Sequence, residues 1–482
     1  MQRIVWKALL IALVVLPVAG GPNVLARQAR QAHASSTTGS DIWVDMFTDV
    51  VAEDGSCSLR EAILSANTNA SVDCIPGSAS DTDYVRLPAG FFQLSLVGED
   101  STDPAALGDL DILGDLVVVG AGRGLTTIDG GDKDRVFHTR AGVAVTIENL
   151  TIQNGSRPFI GGGCIWNTGT ITLEEVVVRG CDTGGSGGGL LNWPTPPETV
   201  MAVANLALSS LPMPERSKGL DSYSLRDLLT RNLLTSLDVP QDVVPKATFV
   251  NSSLTDNVAG DGGGIFNSSL SEIYVYNSTL NANRASTTYG GGLDNAGIGL
   301  LQNVTVSGNE ALLDGGGIFN DGTLDIESST IVNNSSLAQN SGGNIRALSL
   351  TRFMNTLVAN NSSGTNCSGD AGYLVSLGYN IDSEHLAVEN HCDFTESTDI
   401  QMVGYFALGP LINNGGSTLT HALPLESPAI DAGDDDNCLT RDQRGAVRPA
   451  DGTGDEIAHC DIGAYEYNGL FPKMLLLPII QR

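Results

Sequence analysis

Residues 277 to 334 read NSTLNANRASTTYGGGLDNAGIGLLQNVTVSGNEALLDGGGIFNDGTLDIESSTIVNN, and one pattern occurs in them three times. An Asn or Ser, a small residue, a Thr or Ser and an aliphatic residue are followed, two residues on, by Asn. It runs from Asn277 to Asn283, Asn303 to Asn309 and Ser328 to Asn334. Looser counterparts start at Asn149, Glu175, Asn251 and Met354, so successive starts differ by 26, 76, 26, 26, 25 and 26 residues. Glycine runs keep the same phase: Gly161–Gly163, Gly187–Gly189, Gly262–Gly264, Gly290–Gly292, Gly315–Gly317 and Gly342–Gly343. Each precedes an apolar residue and usually an Asn, as in Ile265-Phe266-Asn267. Between the two signals lies an alternating stretch such as Thr323-Leu324-Asp325-Ile326-Glu327, so each repeat holds three short strands.

Three short strands cannot bury an apolar face alone. Stacked repeats pair each strand with its equivalents above and below, ~4.8 Å away. The pattern therefore predicts an all-β, right-handed parallel β-helix with coils of about 26 residues. The leucine framework of leucine-rich repeats is absent, and propeller blades are longer. The recurrent Asn suits turn positions in left-handed backbone, where its side chain also bonds locally and stacks on its neighbours. That role explains the N-x-[ST] strings at Asn251, Asn277 and Asn303 without glycosylation.

The interval of 76 is one coil of 26 plus an insert of 50 within residues 194 to 245. Leu225, Leu228, Leu229, Leu233 and Leu237 follow helical spacing there, behind a capping-type Ser224 and Asp227. A helical flap packed on the solenoid is the expected role, with a lid or partner arm as the alternative.

Of 482 residues 57 are Gly, only 17% are charged and 5% aromatic, which fits many turns and few large core anchors. Residues 1–26 read as a secretory signal: Arg3 and Lys7, an apolar run from Ala8 to Leu16, and a Val24-Leu25-Ala26 cleavage site. Its removal would take the formal charge from -30 to -32 by loss of those two cations. Such a surface repels nucleic acid and anionic lipid. The apolar run is too short to span a bilayer, so no transmembrane span is expected after cleavage. Eight cysteines in an exported chain favour disulfides, and Cys57 lies near Cys74, Cys164 near Cys181, Cys367 near Cys392, and Cys438 near Cys460. Connectivity stays open, since eight cysteines allow 105 pairings.

A β-helix must close its ends. In Cys57-Ser58-Leu59-Arg60-Glu61-Ala62-Ile63, Ser58 and Glu61 make a capping box, and Leu59, Ala62, Ile63 and Ala66 share one helical face that can cover the first coil. This stretch resembles the N-terminal signature of bacterial CSLREA-domain proteins. The likeness continues through Leu87-Pro88-Ala89-Gly90, Gly108 to Ile112, Ile128-Asp129-Gly130 and Asp134 to Phe137. Further on, Gly409-Pro410-Leu411, Asn414-Gly415-Gly416, Thr420-His421-Ala422-Leu423, Ser427 to Asp431, Asp442-Gln443-Arg444-Gly445 and Cys460 to Ala464 resemble the choice-of-anchor Q domain. The resemblance implies an exported β-helix whose surface anchor varies from member to member, and implies no known reaction. The chain then divides into a signal peptide (1–26), a flexible linker (27–40), an N-terminal cap (41–80), a parallel β-helix (81–400) with its insert, a choice-of-anchor Q-like region (401–468) and an apolar tail (469–482).

Little in the sequence demands chemistry. Asp261 and Asp314 precede equivalent glycine runs two coils apart, ~10 Å by strand spacing and near the upper limit for an inverting glycosidase pair, with Tyr289 between them. Aspartates beside turn glycines are common, so a structural role is favoured. Asp109, Asp111 and Asp115, and Asp434, Asp435 and Asp436, form acidic clusters that suit Ca2+, the only cofactor the sequence suggests, but neither fits an EF-hand. His421 and His459 beside Cys438 and Cys460 lack zinc spacing. Gly184 to Gly188 matches G-x-S-x-G at a coil corner, where no nucleophile elbow forms. The expectation is a monomeric, non-enzymatic surface or adhesion protein whose partners are polysaccharides or surface proteins. A polysaccharide lyase or hydrolase, or an architectural envelope protein, is the alternative.

Overall fold

A computed structural model of the chain describes residues 39–471 apart from 72, 99–104, 159–160, 195–243, 339–340, 371, 385–390 and 403. The signal peptide, nearly all of the linker and insert, and most of the apolar tail lie outside the described residues.

The repeats fold as a right-handed parallel β-helix. One coil runs through Glu272–Tyr276, Thr279–Asn281, Arg284–Ala285 and Leu293–Asn295. Each segment pairs in parallel with its equivalent one repeat on, giving four ladders that we number 1 to 4 in that order. Sheet 1 has 11 strands, from Asp41–Trp43 to Leu374–Ser376, and sheet 2 has 11, from Gly90–Gln93 to Ile400–Gln401. Sheet 3 has six two-residue strands, from Ser156–Arg157 to Ser335–Ser336, and sheet 4 has nine, from Leu110–Ile112 to Thr365–Gly369. Sheet 3 is an addition to the three strands expected from the sequence. Two residues cannot display an alternating pattern, so nothing in the sequence marks it.

Period-2 alternation sends one set of side chains inward. Ile147, Leu173, Phe249, Val275, Leu301, Ile326 and Phe353 stack in sheet 1. Ile152, Val178, Leu254, Leu280, Val306, Ile331 and Val358 do so in sheet 2. Ile165, Leu190, Ile265, Leu293, Ile318 and Ile345 do so in sheet 4. All belong to one continuous core, in which each buried large aliphatic contributes roughly 1.5–3 kcal/mol.

The corners are polar, and their inward amides bond from coil to coil. Asn257, Asn283, Asn309, Asn334, Asn344 and Asn366 form one ladder, each Nδ2 donating to the next Oδ1 at 2.9–3.0 Å. Asn167, Asn192, Asn267, Asn295 and Asn320 form a second at 2.7–2.8 Å. The first residue of the repeating pattern lies in left-handed backbone, with φ of 58° at Asn149, 50° at Asn277 and 55° at Asn303. In the last coil that residue is Asn355 (φ 50°), one later than the sequence pattern placed it.

Helix α1 (Leu59–Thr68) covers the N-terminal end, and its Ser58–Glu61 capping box is formed. Strand Asp41–Trp43 already belongs to sheet 1, so the cap helix is spliced between the first two strands of the solenoid rather than preceding it. The chain leaves sheet 4 after Leu190–Asn192 and re-enters sheet 1 at Lys246–Val250, still in register with Thr170–Glu174. All four cysteine pairs are disulfides: Cys57–Cys74, Cys164–Cys181, Cys367–Cys392 and Cys438–Cys460. No described helix is long and apolar enough to cross a membrane.

Beyond the last coil, residues 409–471 turn back and lie along the outer face of sheet 2. Gln443 Nε2 donates to Thr279 Oγ1 (2.9 Å), Thr305 Oγ1 donates to Gln443 Oε1 (2.6 Å), and Ala464 N donates to Thr330 Oγ1 (3.0 Å). Further back, Arg123 reaches the Ser417 carbonyl. Outward Val332, Leu357 and Ala359 join Phe406, Leu423, Ala429 and Ile462 in a second, smaller core. Within this module Asp442 holds Arg444 (2.6 Å), and Glu466 pairs with the wholly buried Arg448 (3.2 Å).

Candidate functional site

Outward on sheet 4, one register row runs His138, Trp166, Leu191, Phe266, Asp294, Phe319, Arg346. At its upper end the His138 ring stacks on Trp166 at 4.4 Å, and the Arg135 guanidinium lies 5.1 Å from the same ring. Its middle, Leu191, Trp193 and Phe266 with Trp166 against them, is an apolar cluster separate from the core. The described chain breaks off just after Trp193, so the insert departs from this face.

At the turn beside this row, Ser186 bridges Asp261 and Tyr289 bridges Asp314. Gly262 N donates to the Tyr289 carbonyl, which carries the stack on without a gap. Asp261, Tyr289 and Asp314 therefore occupy three consecutive coils, as their positions before the glycine runs predicted. Tyr289 stacks on Phe319 with ring centres 4.4 Å apart. The Asp314 carboxylate accepts from Gly315 N (3.0 Å) and Gly342 N (2.7 Å) and faces Arg346 at 3.4 Å. Burial nevertheless holds its pKa above the usual carboxylate range. Asp261 accepts from the Ser186 hydroxyl at 3.3 Å. The half-buried Tyr289 can stack on a ligand, and the partly exposed Asp314 and Arg346 can bond to its hydroxyls.

Five of the six acids named as calcium candidates have other engagements. Asp109 pairs with Arg135 (2.7 Å), and Asp111 with His138 (3.0 Å) and Arg140 (2.9 Å). Asp115 accepts from Ala144 N, Asp434 from Asp436 N and Asn437, and Asp435 from Cys460 N while meeting His459. Among the described residues no group of three His, Cys, Asp or Glu is arranged to hold a metal. His421, His459, Cys438 and Cys460 do not converge on one point either. Cys438 and Cys460 bond to each other, His459 pairs with Asp435, and His421 lies against sheet 2.

A second place is marked by no local sequence motif. Where the C-terminal module crosses the edge of sheet 2, a groove of about 570 Å3 opens, lined by Asn281, Ser307, Gly308, Asn333, Tyr405, Leu408, Gly409 and His421 among others. Tyr405 stands 79% exposed at its rim. At its floor Ser307 Oγ lies 2.9 Å from His421 Nε2, while Nδ1 lies 2.7 Å from the Gly409 carbonyl. Burial pushes the imidazole pKa below its usual range. Ser307 and His421 are 114 residues apart, so no local motif could reveal the pair.

No family model matches the chain, and no curated protein matches it. Among solved structures, the A-module of mannuronan C-5 epimerase AlgE4 from Azotobacter vinelandii matches over 70% of this chain and 88% of that one, at 13% identity and a TM-score of 0.35. That likeness is too loose to bring any residue of one onto the other.

Proposed function

We propose that this protein is an exported, cell-surface-associated β-helix whose outer sheet 4 face binds polysaccharide, or a surface protein bearing it, without acting on it. The observation that carries this reading is the stacked Tyr289–Phe319 pair set among Asp261, Asp314 and Arg346. The half-buried Tyr289 ring, backed by Phe319, gives an apolar plate for a sugar ring, and the partly exposed Asp314 and Arg346 bond to sugar hydroxyls. Four disulfides suit an oxidising compartment, and the likeness to exported CSLREA and choice-of-anchor Q proteins points the same way.

A glycan array probed with the mature chain tests the reading. Tyr289→Ala should weaken the strongest hit by roughly tenfold, about 1.4 kcal/mol. Undiminished binding would move the site elsewhere, and wild-type silence across the array would sink the reading. Deleting residues 194 to 245 asks whether the insert takes part, and retained binding excludes it.

A polysaccharide hydrolase or lyase is the second reading, favoured by Asp314, whose pKa burial raises, two coils from Asp261. It requires release of reducing or unsaturated ends that Asp314→Asn abolishes. A chain that neither binds nor cuts any glycan would leave an architectural envelope role.

A further inference from the structure

The Gly409 carbonyl can only accept, so the proton of His421 sits on Nδ1, and Nε2 is left as the acceptor for the Ser307 hydroxyl. A hydroxyl nucleophile bonded to a neutral imidazole, whose far nitrogen is fixed by a third group, is the arrangement that activates serine for acyl transfer. The next residue adds a backbone N–H at the groove. Gly308 follows Ser307 at a strand end with φ of 68°. At the same turn position of the two preceding coils, Asp256 N and Ala282 N donate to the Asn281 and Ser307 carbonyls, whereas Gly308 N makes no such bond among the described residues. The backbone N–H after a nucleophilic serine is a recurrent oxyanion donor. Ser307, Gly308 and His421 all line the groove.

We propose that Ser307 and His421 form an acyl-transfer dyad, whose substrate is a small acyl ester on a sugar hydroxyl lodged in this groove. Ser307 Oγ adds to the ester carbonyl as its proton passes to His421 Nε2. The bond to the sugar oxygen breaks, and that oxygen takes the proton from Nε2. Water then adds to the acyl-serine, gives its proton to Nε2 and releases the carboxylic acid, and the proton returns to Oγ. One ester and one water become one acid and one alcohol. The choice of a sugar-borne acyl group rests on the glycan-binding reading, but the dyad itself does not.

The folded mature chain should take up one fluorophosphonate adduct, mapped to Ser307 by peptide mass. It should also hydrolyse p-nitrophenyl acetate at a rate that Ser307→Ala lowers by at least about 10²-fold with an unchanged melting temperature. His421→Gln should suppress adduct formation on Ser307. If that variant loosens the module, Ser307→Cys provides the second probe, since a thiol paired with His421 should alkylate with iodoacetamide far faster than the same thiol in a Ser307→Cys, His421→Gln double variant. Wild-type protein that stays unmodified at Ser307, or equal turnover by Ser307→Ala, overturns the dyad. Neither measurement involves a glycan, so failure here and failure on the array are separable.

Discussion

Asparagine holds two different posts in this chain. Asn149 uses its tolerance of left-handed backbone, whereas Asn309 uses its amide. The Oδ1 of Asn309 accepts from the N and Nδ2 of Asn283, and its Nδ2 donates to the Leu280 carbonyl and to Asn334. Asn309→Ala strands several buried partners and should cost about 3 kcal/mol in urea unfolding. Asn149→Gly should stay within about 0.5 kcal/mol, because glycine adopts the same backbone freely. The repeat announced both posts, since turn and stacking roles follow from an Asn that recurs with the coil. It could not announce which titrating groups would be desolvated. Burial lowers the pKa of His421, so stability from its neutral ring is present above the ordinary value of about 6.5 and fades as pH falls below it. Burial raises Asp461 to about 7 and Glu466 to about 8, so the native module keeps protons that the unfolded chain gives up above about 4.5. Their contribution therefore shrinks as pH climbs from there to about 8. Calorimetry should show the module's melting temperature falling as pH climbs from 5 to about 8, with His421 opposing that trend only below about 6.5, and a flat profile would refute these assignments.

Helix α1 was expected from one apolar face and a capping box, and both are formed. Arg60, which is not among the four residues of that apolar face, is wholly buried. Its guanidinium pairs with Asp49 (2.6 Å) and donates to the Ala105 and Gly108 carbonyls (2.8 and 2.9 Å). Those partners lie 11, 45 and 48 residues away in loops, where no periodicity points to them. The polar letters of this motif thus tie the cap to the first coils, while its apolar letters plug them. Ser58→Ala should cost about 1 kcal/mol. Arg60→Ala, which leaves Asp49 buried without its cation, should cost about 3–5 kcal/mol and be read in urea as loss of the cap before the solenoid. Equal losses for the two variants would show that Arg60 is no more than a surface contact. The insert is the reverse case: its place between sheets 4 and 1 follows from the broken period, because the coils on either side stay in register.

The solenoid was readable because each coil repeats its neighbour. The fold-back of residues 409–471 was not, because Thr279, Thr305 and Thr330 look like any outward strand positions and the contacts are unique. Removing residues 409–482 should bare these threonines together with Val332, Leu357 and Ala359, a flat β surface open to other chains. Light scattering after size exclusion should show self-association of the truncated chain, and a clean monomer would mean that the module is dispensable cladding. The reach of the module bears on how the molecule is made. Coils can be laid down one after another, each needing only the last. The bond from Arg123 to Ser417, by contrast, joins positions 294 residues apart and waits for nearly every coil in between. The final segment therefore acts as an inspector of the finished stack: a chain with a missing or slipped coil would misalign Gln443, His421 and Ala464 against their threonine and serine partners, and would declare its fault by leaving sheet 2 uncovered.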